Sequence, residues 1–148
     1  MIRIIPNLYQ GNLDDAVRVS KTKEVDAIVW LSQEIPRELS HDSMIPVAHI
    51  PMVDGLNEKK RIDLAFMVIS YLRCESKTLV ACRSGISRSP SIIIGYLSVY
   101  KLHKNGFEGS YRRIRRIIPS FQPEPHLLES IKQTVKTYFD EDKKEVIE

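Results

Sequence analysis

The sequence has little cysteine, little glycine and no long apolar run. Its 148 residues include two cysteines, six glycines and eight prolines. Two cysteines cannot build a disulfide framework, and neither has histidine or cysteine neighbours at zinc-ligand spacing. The glycine and proline contents are far below those of low-complexity chains, and charges of both signs are dispersed. We therefore expect an ordered globular chain, with disorder confined to the tail.

The sequence also lacks a segment with the pattern of a membrane span or a secretory signal. The most apolar stretch, residues 92–102, is interrupted by glycine, serine and lysine and is shorter than the roughly 20 residues that cross a bilayer. Residues 1–6 lead directly into a strand-like pattern, without a signal's apolar core or cleavage site. We therefore expect a cytoplasmic protein with no membrane partner, and we favour a monomer.

The hydrophobic spacing predicts an α/β protein. Short apolar runs predict strands over residues 2–5, 8–10, 25–31, 47–52 and 78–81. Helical spacing predicts helices over about residues 12–20, 58–73, 89–101, 106–118 and 127–139. A strand, a helix and a strand in that order form a right-handed crossover, which implies a parallel sheet. The chain is interpreted as one domain over residues 1–148, with a charged tail from about residue 140.

The loop after the last predicted strand has the pattern of an anion site. Cys82 ends that strand, Arg88 begins the next predicted helix, and Gly85 lies between them. Such a loop can curl so that its backbone N–H groups surround a phosphate, and the start of the helix adds its dipole. The predicted phosphate-binding residues are Arg83, Ser84, Gly85, Ile86, Ser87 and Arg88.

Each side chain at the ends of this loop has a chemical role in phosphoryl transfer. The positive field of the loop favours the thiolate form of Cys82, which is the nucleophilic form. The planar guanidinium of Arg88 can bind two phosphoryl oxygens at once. Ser89 can donate its hydroxyl proton to the sulfur when the sulfur becomes a leaving group. We therefore predict that Cys82, Arg88 and Ser89 are catalytic.

A lone cysteine at the end of a strand is more often a small buried hydrophobic residue than a nucleophile. The spacing argues against that interpretation of Cys82. A given cysteine is followed by glycine at +3, arginine at +6 and serine or threonine at +7 roughly once in a thousand cases by chance. The position between a strand and a helix lowers that frequency further.

Residues 82–89 resemble the Cys-x5-Arg-Ser/Thr signature of the protein tyrosine phosphatase superfamily, and residues 85–89 resemble its dual-specificity branch. The likeness covers nearly the whole chain. Residues 8–12 resemble that family's opening strand and turn, residues 50–54 its general-acid loop, and residues 114–123 its late helix and turn. The resemblance implies a small, mostly parallel sheet flanked by helices. It also implies a hydrolase without metal or cofactor that acts on phosphorylated proteins.

The general acid is predicted to be Asp54. The leaving oxygen of a phosphate monoester must be protonated, and a carboxylic acid on a mobile loop can reach it. Asp54 follows the predicted strand over residues 47–52, which we expect to lie beside the strand that leads to Cys82. An Asp-Gly pair alone would be interpreted as a turn. With the loop motif, Asp54 is preferred over Glu58 and Asp63.

Three positions depart from the family pattern. Ala81 stands where the family almost always has a histidine whose hydrogen bonds hold the loop. Glu124 stands near a usual asparagine, and Ile118 stands where arginine commonly precedes the proline. The loop, the helix dipole and Arg88 remain, so we expect activity, although weaker and with a higher pH optimum.

Two other functions stay open. Residues 82–85 also resemble the loop of rhodanese-like sulfurtransferases, although the spacing to Arg88 and the presence of Asp54 disfavour that class. A non-catalytic module that binds phosphorylated residues is suggested by Ala81.

Within the phosphatase interpretation, no tyrosine-bearing recognition loop is evident, which predicts a shallow pocket open to phosphotyrosine, phosphoserine and phosphothreonine. The lack of lysine between Cys82 and Arg88 weighs against a phosphoinositide substrate.

The remaining charged and metal-binding residue types are assigned no functional role. A net charge of +3 suits an anionic ligand without selecting nucleic acid. The four arginines of residues 112–116 are interpreted as the solvated face of a helix, and no aromatic residues are interleaved with them for base stacking. The four histidines share no ligand spacing, so no metal site is predicted. Cys74 is expected to be a buried thiol at a helix end.

Overall fold

The computed structural model describes residues 1–147, and the side chains through residue 140. Five strands form the central sheet: β1 (Ile2–Ile5), β2 (Leu8–Gly11), β3 (Ala27–Trp30), β4 (Val47–His49) and β5 (Thr78–Ala81). Six helices accompany them: α1 (Leu13–Thr22), α2 (Arg37–Ser40), α3 (Lys59–Arg73), α4 (Arg88–Val99), α5 (Gly106–Ile117) and α6 (Pro125–Ile147). The α/β architecture predicted from the sequence is confirmed.

The strand order in the sheet is β1-β2-β5-β3-β4. β1 pairs with β2 in antiparallel fashion, and the other three pairings are parallel. The central strand β5 is therefore flanked by β2 and β3, and its carboxyl end leads into the loop that begins at Cys82. Because the carboxyl ends of parallel strands lie at one edge of a sheet, the chain segments after β2, β3 and β5 meet there.

Helices cover both faces of the sheet. The face that carries Val80 packs against α3, α4, α5 and α6. The opposite face, which carries Leu79 and Ala81, packs against α1 and α2. Strands covered on both faces have nearly continuous apolar sequences, which explains why β3 and β5 were evident in the sequence.

Helix α4 is the central helix of the larger layer. All of its residues from Ser89 to Ser98 are buried. At Gly95, an added Cβ would lie 2.6 Å from both Phe66 of α3 and Ile131 of α6. The missing side chain lets α3 and α6 pack closely against α4, the helix that begins at the end of the loop after Cys82.

The structure departs from the sequence-based expectations at several points. β4 does not lie beside β5, because β3 lies between them. The short helix α2 was not predicted, since four residues carry too little periodicity. The backbone of α6 continues through residues 140–147, where charged helix-forming residues extend it beyond its apolar stripe. Cys74 caps α3 and is exposed, so the expectation of a buried thiol was wrong.

Within residues 1–147, no helix has both the length and the apolar character that crossing a bilayer requires.

Candidate active site

Cys82 lies directly after β5, and its side chain is completely buried. Its sulfur accepts a hydrogen bond from the backbone N–H of Ser89 at 3.4 Å. The hydroxyl of Ser89 lies 3.3 Å from the same sulfur. Both contacts come from the first turn of α4, so the sulfur lies at the positive end of that helix dipole. An N–H, a hydroxyl and a helix N-terminus therefore surround this sulfur.

The loop between Cys82 and α4 needs glycine at position 85. Gly85 has a φ of +71°, a conformation that other residues adopt at a cost. A Cβ there would lie 3.0 Å from the Cβ of Asn12. The loop is thus pressed against the start of α1, where the N–H of Leu13 also donates to the carbonyl of Arg83 at 3.0 Å.

The start of α1 is itself fixed by a reciprocal pair of hydrogen bonds. The side chain of Asn12 accepts from the N–H of Asp15, and the carboxylate of Asp15 accepts from the N–H of Asn12, both at 3.0 Å. This is a capping box, which gives partners to two N–H groups at the helix end. The loop after Cys82 therefore rests on a helix terminus with defined geometry.

Other parts of the fold hold the outer side of the loop. The carbonyl of Ile86 accepts from the N–H of Gln122 at 2.8 Å, and the N–H of Arg83 donates to the hydroxyl of Ser32 at 2.9 Å. The side chain of Arg83 is exposed. These contacts come from the segment before α6 and from the segment after β3, so the loop is supported from two sides.

Arg88 is the first residue of α4 and is half-buried. One terminal nitrogen of its guanidinium donates to the carbonyl of Met52 at 3.2 Å. A guanidinium has five N–H groups in one plane, so this contact orients the group and leaves other donors for a ligand. Arg88 and Arg83 line one side of a cavity of about 340 Å³ together with residues 32–34.

Asp54 lies on the loop that follows β4. The hydroxyl of Ser87 donates to a carboxylate oxygen of Asp54 at 2.7 Å. β3 separates β4 from β5. The loop after β4 nevertheless passes the carboxyl end of β3, where the N–H of Met52 donates to the carbonyl of Leu31. The structure therefore brings Asp54 to the loop that contains Cys82, as predicted, by a route that differs from the expected strand pairing.

The loop that carries Asp54 is held by a residue that sequence reasoning missed. The side-chain amide of Asn57 donates to the carbonyls of Val53 and Gly55, at 2.8 and 3.0 Å, and its oxygen accepts from the N–H of Val53 at 3.2 Å. Asparagine after an Asp-Gly pair is a local turn signal that could have identified it. Asn57 gives the loop after β4 a defined shape.

Comparisons of sequence and of structure relate this chain to known proteins. Tyrosine-protein phosphatase vhp-1 of Caenorhabditis elegans is 29% identical over 125 residues, covering 81% of this chain and 19% of the relative. Dual specificity protein phosphatase 4 of Homo sapiens is 30% identical over 145 residues, covering 92% of this chain and 36% of the relative. This chain therefore spans well under half the length of these curated relatives. No family model matches the chain.

Solved structures show the same fold. The crystal structure of PTPMT1 superimposes with a TM-score of 0.76 at 17% identity, covering 96% of this chain and 98% of that one. Human DUSP28 superimposes with a TM-score of 0.73 at 15% identity, covering 95% of this chain and 99% of that one. The chain belongs to the dual-specificity and tyrosine phosphatase family. The resemblance inferred from residues 82–89 is thus confirmed.

The position where the phosphatase family almost always has a histidine is apolar here. Ala81 is completely buried and packs in the cluster that contains Ala16, Val19 and Trp30. Its methyl group makes no hydrogen bond, so the loop receives none from this side chain. Any hydrogen bonds that replace those of the histidine must come from other elements.

Glu124, a second departure from the family pattern, caps α6. Its carboxylate accepts from the ring of His126 at 2.9 Å and from the N–H of Leu127 at 2.8 Å. These hydrogen bonds, that of His126 foremost, lower the pKa of Glu124. Its N–H donates to the hydroxyl of Ser87 at 3.0 Å. Glu124 thus links the start of α6 to the loop after Cys82.

Sequence reasoning also missed Gln10 and Ser32. Gln10 is 3% exposed, and its side-chain amide lies within hydrogen-bond distance of Gly85 and Ser89. A polar residue inside an apolar strand was the available signal, since buried amides need partners. Ser32 carried no such signal. Among the residues that the structure describes, no group of three histidine, cysteine or acidic side chains could hold a metal ion.

Proposed function

We propose that this chain is a metal-independent protein phosphatase that hydrolyses phosphotyrosine, phosphoserine and phosphothreonine through a cysteinyl-phosphate intermediate. Membership of the phosphatase family supports the reaction class. The observation that carries the proposal is the buried sulfur of Cys82, which faces both the N–H and the hydroxyl of Ser89 at the start of α4. A buried thiolate in such a setting is an activated nucleophile.

The first step forms the intermediate. The thiolate of Cys82 attacks phosphorus, the S–P bond forms, and the bond from phosphorus to the substrate oxygen breaks. Asp54, protonated before the step, transfers its proton to that oxygen. Arg88 and the N–H groups of residues 84–88 bind the equatorial oxygens, so charge is stabilised where it spreads in the transition state. The contact between Arg88 and the Met52 carbonyl keeps the guanidinium in position for this role.

The second step releases phosphate. Asp54, now a carboxylate, takes a proton from water while the water oxygen attacks phosphorus. The S–P bond breaks, and its electron pair returns to Cys82 as a thiolate. The hydroxyl of Ser89, 3.3 Å from the sulfur, donates its hydrogen bond to the departing thiolate. Water supplies the oxygen of the released phosphate, and the enzyme returns to its starting protonation state.

The surroundings of the loop support the proposed substrate class. Arg83 is exposed, and with Arg88 it lines an open cavity that also contains Ser32 and Glu34. A shallow, polar opening admits the short side chains of phosphoserine and phosphothreonine as well as phosphotyrosine. The partners would accordingly be phosphorylated proteins. A panel of matched phosphopeptides of the three types, assayed with a metal chelator present, tests this.

The decisive test of the reaction is the substitution Cys82→Ser. It removes the thiolate and leaves the loop amides and Arg88, so turnover of p-nitrophenyl phosphate should fall below about one per cent of the original. Binding of tungstate should remain. The matched control is Cys74→Ser, which changes an exposed thiol at the end of α3 and should retain full activity.

Trapping completes the test. Acid quenching during turnover should yield phosphate covalently bound to Cys82. If the protein bound tungstate but showed no turnover and no trapped phosphocysteine, the result would instead support the non-catalytic binding module. Turnover of thiosulfate without phosphatase activity would support a sulfurtransferase. Either result would overturn the proposal.

A further inference from the structure

A loop that turns its N–H groups towards an anion turns carbonyl groups outward, and buried carbonyls need donors. In the loop after Cys82, the carbonyl of Gly85 accepts a hydrogen bond from the side-chain nitrogen of Gln10 at 2.7 Å. Gln10 is a residue of β2, which pairs with β5 in parallel register, and it is 3% exposed. The strand beside the nucleophile therefore supplies a buried donor to the loop.

The orientation of the Gln10 amide follows from its neighbours. Its nitrogen lies 2.7 Å from the carbonyl oxygen of Gly85 and 3.3 Å from that of Gly11. Carbonyl oxygens only accept hydrogen bonds, so the NH2 group, and not the amide oxygen, must face them. The same nitrogen lies 2.9 Å from the hydroxyl oxygen of Ser89. Gln10 is therefore the donor to Ser89, and the oxygen of Ser89 is the acceptor.

This contact determines where the hydroxyl proton of Ser89 points. With an N–H of Gln10 on one side, the proton must point to another acceptor. The candidates are the sulfur of Cys82 at 3.3 Å and the carbonyl oxygen of Gly11 at 3.5 Å. A separation of 3.5 Å is long for a hydrogen bond from a hydroxyl to an oxygen, whose oxygen–oxygen distance is usually about 2.5–3.0 Å. The larger sulfur atom at 3.3 Å is the better acceptor.

We propose that Gln10 is a positioning residue of the active site, whose amide braces the Gly85 carbonyl and directs the Ser89 proton to the sulfur of Cys82. The inference rests on the proposed phosphatase function. In the register, Gln10 pairs with Val80 and Gly11 pairs with Ala81. Because side chains alternate along a strand, Gln10 and Ala81 lie on opposite faces of the sheet. Gln10 thus holds the loop from the α4 face, whereas the methyl of Ala81 on the other face offers no hydrogen bond.

The two hydrogen bonds of Gln10 have different consequences. The bond to Gly85 shapes the anion cradle, so its loss weakens phosphate binding. The bond to Ser89 matters most when the thiolate of Cys82 departs from phosphorus, because a proton directed at the sulfur stabilises the leaving group. Loss of the bond to Ser89 should slow hydrolysis of the phosphoenzyme more than it slows formation of the phosphoenzyme.

The test is rapid-mixing kinetics with p-nitrophenyl phosphate on Gln10→Leu, which keeps the volume and removes the donor. Gln10→Met is a second variant with a flexible apolar chain. We expect hydrolysis of the phosphoenzyme to slow about tenfold or more, while formation changes less than about threefold, which produces a burst of p-nitrophenolate. The control is Gln133→Leu, the same change on the exposed side of α6. Equal slowing of both steps in both Gln10 variants would overturn the proposal.

A double substitution separates the two hydrogen bonds. In a Ser89→Ala background, Gln10→Leu should slow hydrolysis no further, because no hydroxyl remains to be directed. It should still weaken tungstate binding, because the Gly85 contact is lost. An undiminished additional effect on hydrolysis would show that Gln10 does not act through Ser89.

Alkylation by iodoacetamide, an uncharged reagent that does not need the anion cradle, tests Gln10 independently of phosphatase activity. If the protein forms no phosphoenzyme, the proposed function fails, yet the contacts around the thiol remain testable. Gln10→Leu and Ser89→Ala should each lower the alkylation rate of Cys82 near neutral pH, and the double variant should be no slower than Ser89→Ala. An alkylation rate unchanged by Gln10→Leu would overturn the positioning role.

Discussion

The hydroxyl of Ser87 donates a hydrogen bond to the carboxylate of Asp54 at 2.7 Å and accepts one from the N–H of Glu124 at 3.0 Å. Ser87 is 4% exposed, so water competes little for these contacts. One buried hydroxyl therefore connects three segments that are distant in sequence: the loop after β5, the loop after β4 that carries Asp54, and the turn before α6. The position of the proposed general acid depends on this connection.

Asp54→Asn tests the acid directly. An amide cannot donate a proton to a leaving oxygen, so substrates with poor leaving groups should lose about 10²–10⁴-fold in turnover. Phosphoserine peptides are poor substrates in this sense, whereas p-nitrophenyl phosphate needs little protonation and should lose much less. Steady-state rates across a series of leaving groups measure the difference. Equal losses across the series would exclude Asp54 as the acid.

Ser87→Ala should give the same pattern on a smaller scale. It removes the hydrogen bond that holds Asp54 and leaves the carboxyl group itself in place. We expect up to about a tenfold loss on phosphoserine peptides and a smaller loss on p-nitrophenyl phosphate, in line with the loss of one hydrogen bond. Ser40→Ala, at an exposed serine of α2, is the matched control. A loss that does not depend on the leaving group would mean that Ser87 supports the fold and not the acid.

Gly85→Ala should damage both stability and ligand binding. The positive φ costs an alanine about 1 kcal/mol, and the added methyl would press on Asn12 at 3.0 Å. Gly106 offers a control, because its φ is also positive, at +63°, and a Cβ there would meet nothing within 4 Å. Thermal unfolding should show a lower Tm for both variants. Tungstate titration should show a lower affinity for Gly85→Ala alone. Retained tungstate affinity would contradict the tight seating of the loop.

The capping box at the start of α1 should make stability depend on pH. Burial disfavours the charged form of Asp15, but hydrogen bonds from the N–H of Asn12 and from Arg18 outweigh it, so the pKa of Asp15 lies below its ordinary value of 3.8. A carboxyl whose pKa is lower in the folded state contributes stability at pH values above that ordinary value. The contribution is lost as the pH falls through the pKa of the folded state.

The measurement is thermal unfolding of the original protein and of Asp15→Asn from neutral pH down to pH about 2. The original protein should have the higher Tm at neutral pH, and the difference should shrink as the pH falls below about 4. Asp14→Asn, at the exposed neighbour in the same helical turn, is the matched control. A difference that stays constant with pH would show that the charge of Asp15 contributes nothing.

The sequence alone determined the α/β class, the strand at residues 78–81 and the composition of the loop from Cys82 to Ser89. These features are local, because a strand buried on both faces is continuously apolar and the phosphate loop is encoded by consecutive residues. The same locality explains the accurate limits of α3, predicted over residues 58–73 and observed over Lys59–Arg73. Family membership could likewise be inferred from eight adjacent positions.

Only the tertiary structure decided which distant side chains meet this loop. Gln10 lies 75 residues from Gly85, and Asp54 lies 33 residues from Ser87. Contacts at such separations depend on strand order, and local patterns do not contain it, as the insertion of β3 between β4 and β5 shows. The exposure of Cys74 was decided in the same way, by packing at the end of α3. The sequence therefore specifies the loop from Cys82 to Ser89, and the packing of β2, β3 and α6 around that loop determines the neighbours of its side chains.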